Sequence, residues 1–117
     1  MTGIERIKEA FEKNSGIKLM THVVGGYPSL PASERIVEAM ASGGADLVEI
    51  QIPYSDPTAD GPSIMTANTK ARTAGTTTAA VMEMAARLTS SAGIPILLMS
   101  YINPVYRYGI EKFIVHA

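Results

Sequence analysis

A chain of 117 residues, 46% of them hydrophobic, has material for one domain and its core and for no more. A net charge of −1 with no basic run gives no footing for nucleic acid or an anionic membrane as partner. The absence of cysteine excludes a disulfide framework and a thiolate metal site. The amino terminus, MTGIERIKEAFEKN, is charged early and lacks an apolar signal core, and the longest greasy run, Ile94 to Met99, is far too short to span a bilayer. A soluble cytoplasmic protein is the expectation.

Thr2 to Asn14 reads as an amphipathic helix: Thr2 and Glu5 form a T-x-x-E capping box, and Ile4, Ile7 and Phe11 share one side. Asn14-Ser15-Gly16 ends it. Ile17 to Val24 alternates loosely as a first strand before Gly25-Gly26-Tyr27-Pro28 breaks the pattern. Ser29 can cap a helix from about Pro31 to Ala41, where Ile36, Val37 and Met40 fall at helical spacing, and Gly43-Gly44 stops it.

Leu47 to Ile52 predicts a second strand, with Val48, Ile50 and Ile52 on one face and Glu49 and Gln51 on the other. A carboxylate near the carboxyl end of a buried strand is costly unless it is paired, hydrated in a cleft, or kept for chemistry. The loop behind it, Ser55-Asp56-Pro57 to Asp60-Gly61-Pro62, combines φ-fixing prolines with side-chain acceptors and is stiffer than average. Taken alone, that composition is turn chemistry. The spacing of Glu49 and Asp60, across a strand end and a folded-back loop, brings two carboxylates toward one mouth, where unlike environments can divide acid and base roles.

Beyond the loop, Ser63 to Ala74 predicts a short helix and Thr77 to Ser90 a longer one with Val81, Met82, Met84, Ala85 and Leu88 on its apolar face. Gly93 precedes a third strand, Ile94 to Met99, and Pro104 to Ala117 reads as a last helix with no terminator. Strands alternating with helices argue for parallel pairing with crossover connections.

Gly44-Ala45-Asp46-Leu47-Val48-Glu49, Ile52-Pro53-Tyr54-Ser55-Asp56-Pro57, Ala59-Asp60-Gly61-Pro62 and Ala67-Asn68 together resemble the signature region of the tryptophan synthase alpha chain family. Gly26-Tyr27-Pro28 is similar to the family's first loop, and Tyr101-Ile102-Asn103-Pro104-Val105-Tyr106 with Tyr108-Gly109-Ile110 resembles its third strand end and next helix. The likeness runs through essentially the whole chain but reaches only the amino-terminal part of the family's barrel. It implies a partial (β/α)₈ TIM barrel, about the first three β/α units plus an amino-terminal helix plugging the bottom, as one partial domain over residues 1–117. A full barrel takes about 250 residues, so a fragment, a truncated reading frame or one piece of a split protein is expected. A small open three-stranded α/β domain, complete in itself, is the alternative and leaves two sheet edges unprotected.

The resemblance implies a lyase of tryptophan biosynthesis. It performs the retro-aldol cleavage of indole-3-glycerol phosphate to indole and glyceraldehyde 3-phosphate, with no cofactor of its own and with pyridoxal phosphate only in a beta-chain partner. Glu49 matches the family's acid/base residue, and Asp60 the carboxylate that faces the indole N–H. Ile64 and Met99 match positions lining the indole pocket, and Tyr101 borders it. Asp56, Pro57 and Asn103 fall on segments that meet the beta chain. The sequence departs from the family at His22, where a phenyl ring is usual, at Thr21, where proline is common, and at Gln51, where glycine stands before Ile-Pro. His22 is either a hydrogen-bonded core residue or a substrate-binding group that stacks on the indole or alters the pocket's polarity, and Gln51 adds bulk and hydrogen-bonding capacity beside Glu49. Gly25-Gly26 lacks the spacing of a phosphate-binding loop, and the family's phosphate loops come later in the barrel. His22 and His116 are isolated, so no metal is expected. Little activity is expected of this chain alone. Two other functions stay open: a non-catalytic module binding a beta-like subunit or itself, and a different phosphate-handling barrel enzyme.

Overall fold

The alternation in Leu47 to Ile52 puts Val48, Ile50 and Ile52 on one side, and the computed structural model, which describes residues 1–117, builds its core on that side. Strands β1 (Met20–Val24), β2 (Leu47–Gln51) and β3 (Ile96–Met99) form a three-stranded parallel sheet in that order, with β2 central. Helix α1 (Gly3–Glu12) precedes the sheet and α2 (Leu30–Ser42) joins β1 to β2. Helices α3 (Pro62–Thr73) and α4 (Thr78–Ser91) join β2 to β3, and α5 (Ile102–Tyr108) and α6 (Ile110–His116) follow. Parallel neighbours need crossovers of this length, because the chain must return to the same end of the sheet.

Val48, Ile50 and Ile52 are fully buried, and with Val23 they pack against Val37 of α2 and Val81, Met84, Ala85 and Leu88 of α4. Each such aliphatic side chain contributes about 1.5–3 kcal/mol relative to exposure, so this face carries most of the stability. On the opposite face a smaller cluster, Val24 with Ala67 and Ala71 of α3 and the flanking Tyr27 and Ile64, covers only the carboxyl end of β1. Helix α3 packs there through alanines, which lets its backbone come close to the strand.

The helix starts follow their capping residues. Thr2 caps α1 in a complete capping box with Glu5, Ser29 caps α2 through the Ala32 N–H, and Thr77 caps α4 through the Ala80 N–H. Between β1 and α2 the chain turns through Gly26 at φ +88, where any Cβ would run into the Thr76 side chain. The Gly26 N–H is held by the buried Ser33 hydroxyl at 3.0 Å.

Three expectations are corrected. The first strand begins at Met20 rather than Ile17, because β2 offers partners only from Leu47 onward and Ile17 is fully exposed. The third begins at Ile96, since Pro95 has no N–H for a ladder, although its carbonyl accepts from Val48 N–H. The single closing helix is two helices: Gly109 sits at φ +104 between α5 and α6 and breaks the helical path. Helix α1 is amphipathic as read, but no residue of it is buried and Ile4 and Phe11 lie open. Its Arg6 guanidinium donates to the Thr89 carbonyl at 2.9 Å, tying it to α4. Glu9 and Ala10 of α1 and Lys13 just after it share a cavity with Gly44, Ala45, Gly93 and Ile94, which places the helix under the amino-terminal ends of β2 and β3.

Candidate functional site

Glu49 and Gln51 leave β2 on the face away from the main core, and the register sets His22 of β1 beside Glu49. Three side chains from two strands therefore meet on one surface. His22 Nδ1 lies 2.9 Å from Glu49 Oε1, and His22 Nε2 lies 3.1 Å from Gln51 Oε1. Gln51 is fully buried, and its amide nitrogen donates to Asp60 Oδ2 at 3.0 Å. Asp60 is brought back over the strand end by the turn at Pro57, whose carbonyl accepts the Asp60 N–H at 3.0 Å.

Tyr101, just past β3, closes the set. Its hydroxyl donates to Asp60 Oδ2 at 3.0 Å and accepts the Ala59 N–H at 3.1 Å, and its ring lies tilted on Tyr54 with centroids 5.2 Å apart. Desolvation, and then the bond to the Asp60 carboxylate, pushes the Tyr101 hydroxyl above its ordinary value, so it stays a donor at neutral pH. The five side chains form a continuous hydrogen-bonded path, Glu49, His22, Gln51, Asp60, Tyr101. Glu49 Oε2 and Asp60 Oδ1 accept from no protein side chain or N–H and remain available to a ligand. Glu49 is 25% exposed and His22 32%, so the path borders an open mouth rather than a sealed cavity.

The second carboxylate is held by a scaffold outside the path. Asn68 of α3 is fully buried, accepts the Tyr54 N–H at 2.9 Å and donates to the Ile64 carbonyl at 2.9 Å, which clamps the start of the loop to α3. Ile64 is half-buried beside the small α3 cluster, and Met99 is half-buried at the end of β3, paired in register with Gln51. Asp56 is exposed, with Oδ2 accepting from the Ser55 hydroxyl at 2.7 Å, and Asn103 is exposed in the first turn of α5. Pro57, expected on a partner-facing wall, is buried within the chain and shapes the loop from inside.

Glu49, Asp60, His22 and Tyr101 are thus brought together, while Asp56 and Asn103 stand apart from them. Gln51, expected to add bulk and hydrogen-bonding capacity beside Glu49, sits at the centre of the site and links His22 to Asp60. No group of three or more histidine, aspartate or glutamate side chains is placed to hold a metal ion. No helix is long and apolar enough to cross a membrane.

A family model described as "Tryptophan synthase alpha chain" matches residues 8–117. The tryptophan synthase alpha chain of Desulfotalea psychrophila is 42% identical over 114 residues, 97% of this chain and 45% of the relative. That of Geobacter sp. strain M21 is 42% identical over 117 residues, 97% of this chain and 44% of the relative. Among solved structures, tryptophan synthase from M. tuberculosis in its aminoacrylate-bound form superposes with a TM-score of 0.89 at 32% identity, over 95% of this chain and 46% of that one. The alpha subunit from Legionella pneumophila gives 0.88 at 28% identity, over 99% and 45%. The chain spans less than half the length of the curated relatives it matches. The three parallel strands and their helices are accordingly the first part of a (β/α)₈ barrel.

Proposed function

The chain belongs to the tryptophan synthase alpha chain family, and on that premise we propose that it supplies the acid/base half of a lyase site that cleaves indole-3-glycerol phosphate to indole and glyceraldehyde 3-phosphate. The observation that carries this reading is the convergence of Glu49 and Asp60 on one mouth, each with one carboxylate oxygen free. Cleavage needs a proton on the indole ring carbon that carries the side chain and the loss of a proton from the adjacent side-chain hydroxyl. The carbon–carbon bond electrons then return to the ring as the aldehyde forms. Glu49 is the group that moves these protons, a role worth about 10²–10⁴-fold in rate. Asp60, fixed by Gln51 and Tyr101, faces the indole N–H and offsets the positive charge that builds on the ring when its carbon is protonated.

Ile64 and Met99 border the space for the indole ring, and Tyr101 holds the rim. No phosphate cradle accompanies the carboxylates, so the binding energy that orients the substrate comes from later strands of a complete barrel. Exposed Asp56 and Asn103 face a beta chain that carries pyridoxal phosphate and consumes the indole, in the cytoplasm. A second reading, a non-catalytic module that binds a beta-like subunit, draws on those two exposed segments and on the open apolar side chains Ile102, Tyr106, Ile110, Ile114 and Val115 of α5 and α6.

The test is indole release from indole-3-glycerol phosphate by this chain joined to the later part of the Desulfotalea psychrophila alpha chain. Turnover that falls at least 10²-fold in Glu49→Gln supports the lyase reading. A folded, complete barrel without turnover that still captures a beta chain overturns it in favour of the binding module.

A further inference from the structure

The path from Ala59 to Glu49 has a direction that chemistry leaves no freedom to reverse. A backbone N–H can only donate, so the Tyr101 oxygen accepts from Ala59 and its own hydrogen points to Asp60 Oδ2. That carboxylate oxygen is therefore an acceptor on both sides, and Gln51 must offer it the amide NH₂. The Gln51 carbonyl oxygen then faces His22 Nε2 at 3.1 Å and, having no hydrogen to give, requires one on Nε2. With Nε2 committed, Nδ1 would turn a bare lone pair toward the Glu49 carboxylate at 2.9 Å unless a second proton occupies that contact. The proton rests either on the ring, as imidazolium beside carboxylate, or on Glu49, as carboxylic acid beside neutral imidazole. The two forms differ only in which side of one hydrogen bond holds it.

We propose that His22 and Gln51 are positioning residues that read the fixed polarity of Asp60 and Tyr101 across to Glu49, and so keep one proton stored on the His22–Glu49 contact while Asp60 remains an acceptor. The two candidate catalytic carboxylates are thereby assigned opposite duties before a ligand arrives: one has a proton at hand, the other does not. Each of the five links is needed, because removing Gln51 frees His22 Nε2 from its demand for a hydrogen, and removing the Glu49 charge frees Nδ1 from its own. The catalytic meaning of the arrangement rests on the lyase reading above, whereas the proton placement does not.

The experiment is ¹⁵N spectroscopy of the His22 ring at neutral pH in this chain, in Gln51→Met and in Glu49→Gln, with no substrate and no turnover measured. The original chain is expected to hold two protons across the ring and its contact with Glu49, one of them on Nε2. Gln51→Met loses the Nε2 proton and keeps the one on Nδ1, which still faces a carboxylate. Glu49→Gln does the reverse, since the new amide can donate to Nδ1 and Gln51 still accepts from Nε2. The proton left behind thus sits on opposite nitrogens in the two variants. A ring with one tautomer in all three chains, as a histidine governed by solvent alone would give, overturns the proposal, as does an Nε2 without hydrogen in the original chain. Lost turnover in a complete barrel with this ¹⁵N pattern intact would remove the lyase reading and leave the bridge standing.

Discussion

The two faces of β2 are made of residues that alternate one by one along the same five-residue strand, yet they are held by different physics. Val48 and Ile50 point into a close-packed core with α2 and α4, where area removed from water does the stabilising. Glu49 and Gln51 point the other way, into a directional network with His22, Asp60 and Tyr101. The packed face tolerates any apolar group of the right volume. The polar face is specified atom by atom, because each donor must meet an acceptor. In this strand apolar packing and the polar network are segregated by the two-residue period of the backbone.

The largest test of that segregation is Ile50→Ala. It deletes a fully buried side chain from the centre of the packed face and is expected to cost about 2–5 kcal/mol, read as a lowered urea midpoint. The His22 ring spectrum in the folded state should not change. A variant that keeps its stability would show that this face does not carry it, and one that shifts the His22 ring would show that the two faces are coupled.

How much of this was legible depends on the range of the interaction. The alternation in β2, the caps at Thr2 and Ser29, and the glycine stop after α2 are local rules acting within a few residues, and the sequence carries them openly. That Glu49 and Asp60 come to the same strand end was legible in their spacing across a strand and a loop that folds back. The break at Gly109 was missed because a lone glycine in a helical pattern is compatible with continuing it, and only its positive φ ends α5. The start of β1 was misplaced because strand length is decided by the partner, and the pairing of Met20 with Leu47 is a property of two distant segments. The bridge through His22 and Gln51 was out of reach for the same reason. It depends on the register that sets His22 beside Glu49, and no pattern within either strand encodes that register.

Asn68→Ala tests the scaffold between the two faces. It strips the part-buried Tyr54 N–H of its acceptor, and an unsatisfied group there costs at most about 1–3 kcal/mol, the full figure being for a buried one. The loop holding Asp60 should loosen with it, seen as faster amide exchange at Tyr54 and Asp60. Gln51→Met, on the polar face itself, should cost less, at most about 1.5 kcal/mol, because a similar volume stays buried while two hydrogen bonds are lost and Asp60 keeps its bond from Tyr101. If Gln51→Met destabilised the chain as much as Ile50→Ala does, the polar face would be structural first, and the division between the faces would fail.

The smallest effect belongs to the outer surface of the packed face, where Glu34 of α2 and Arg87 of α4 form a two-pronged pair with both contacts at 2.9 Å. The Arg87 guanidinium holds the Glu34 carboxyl below its ordinary value of 4.5, against a smaller opposing effect of burial. Because the folded state binds this proton less readily than the unfolded chain, the pair's contribution is complete above pH 4.5 and is lost as the pH falls from there through the lowered folded value. Arg87 is itself held above its ordinary value, first by Glu34, and stays charged throughout, so only the carboxylate sets the window. Urea midpoints of the original chain and Glu34→Gln should therefore differ at neutral pH and converge below pH 4.5, with the difference reduced by salt because Arg87 is 57% exposed. Midpoints that stay parallel across that range would mean that apolar packing alone joins α2 to α4. The packed face would then owe nothing to charge, which would sharpen its contrast with the network on the other side of β2.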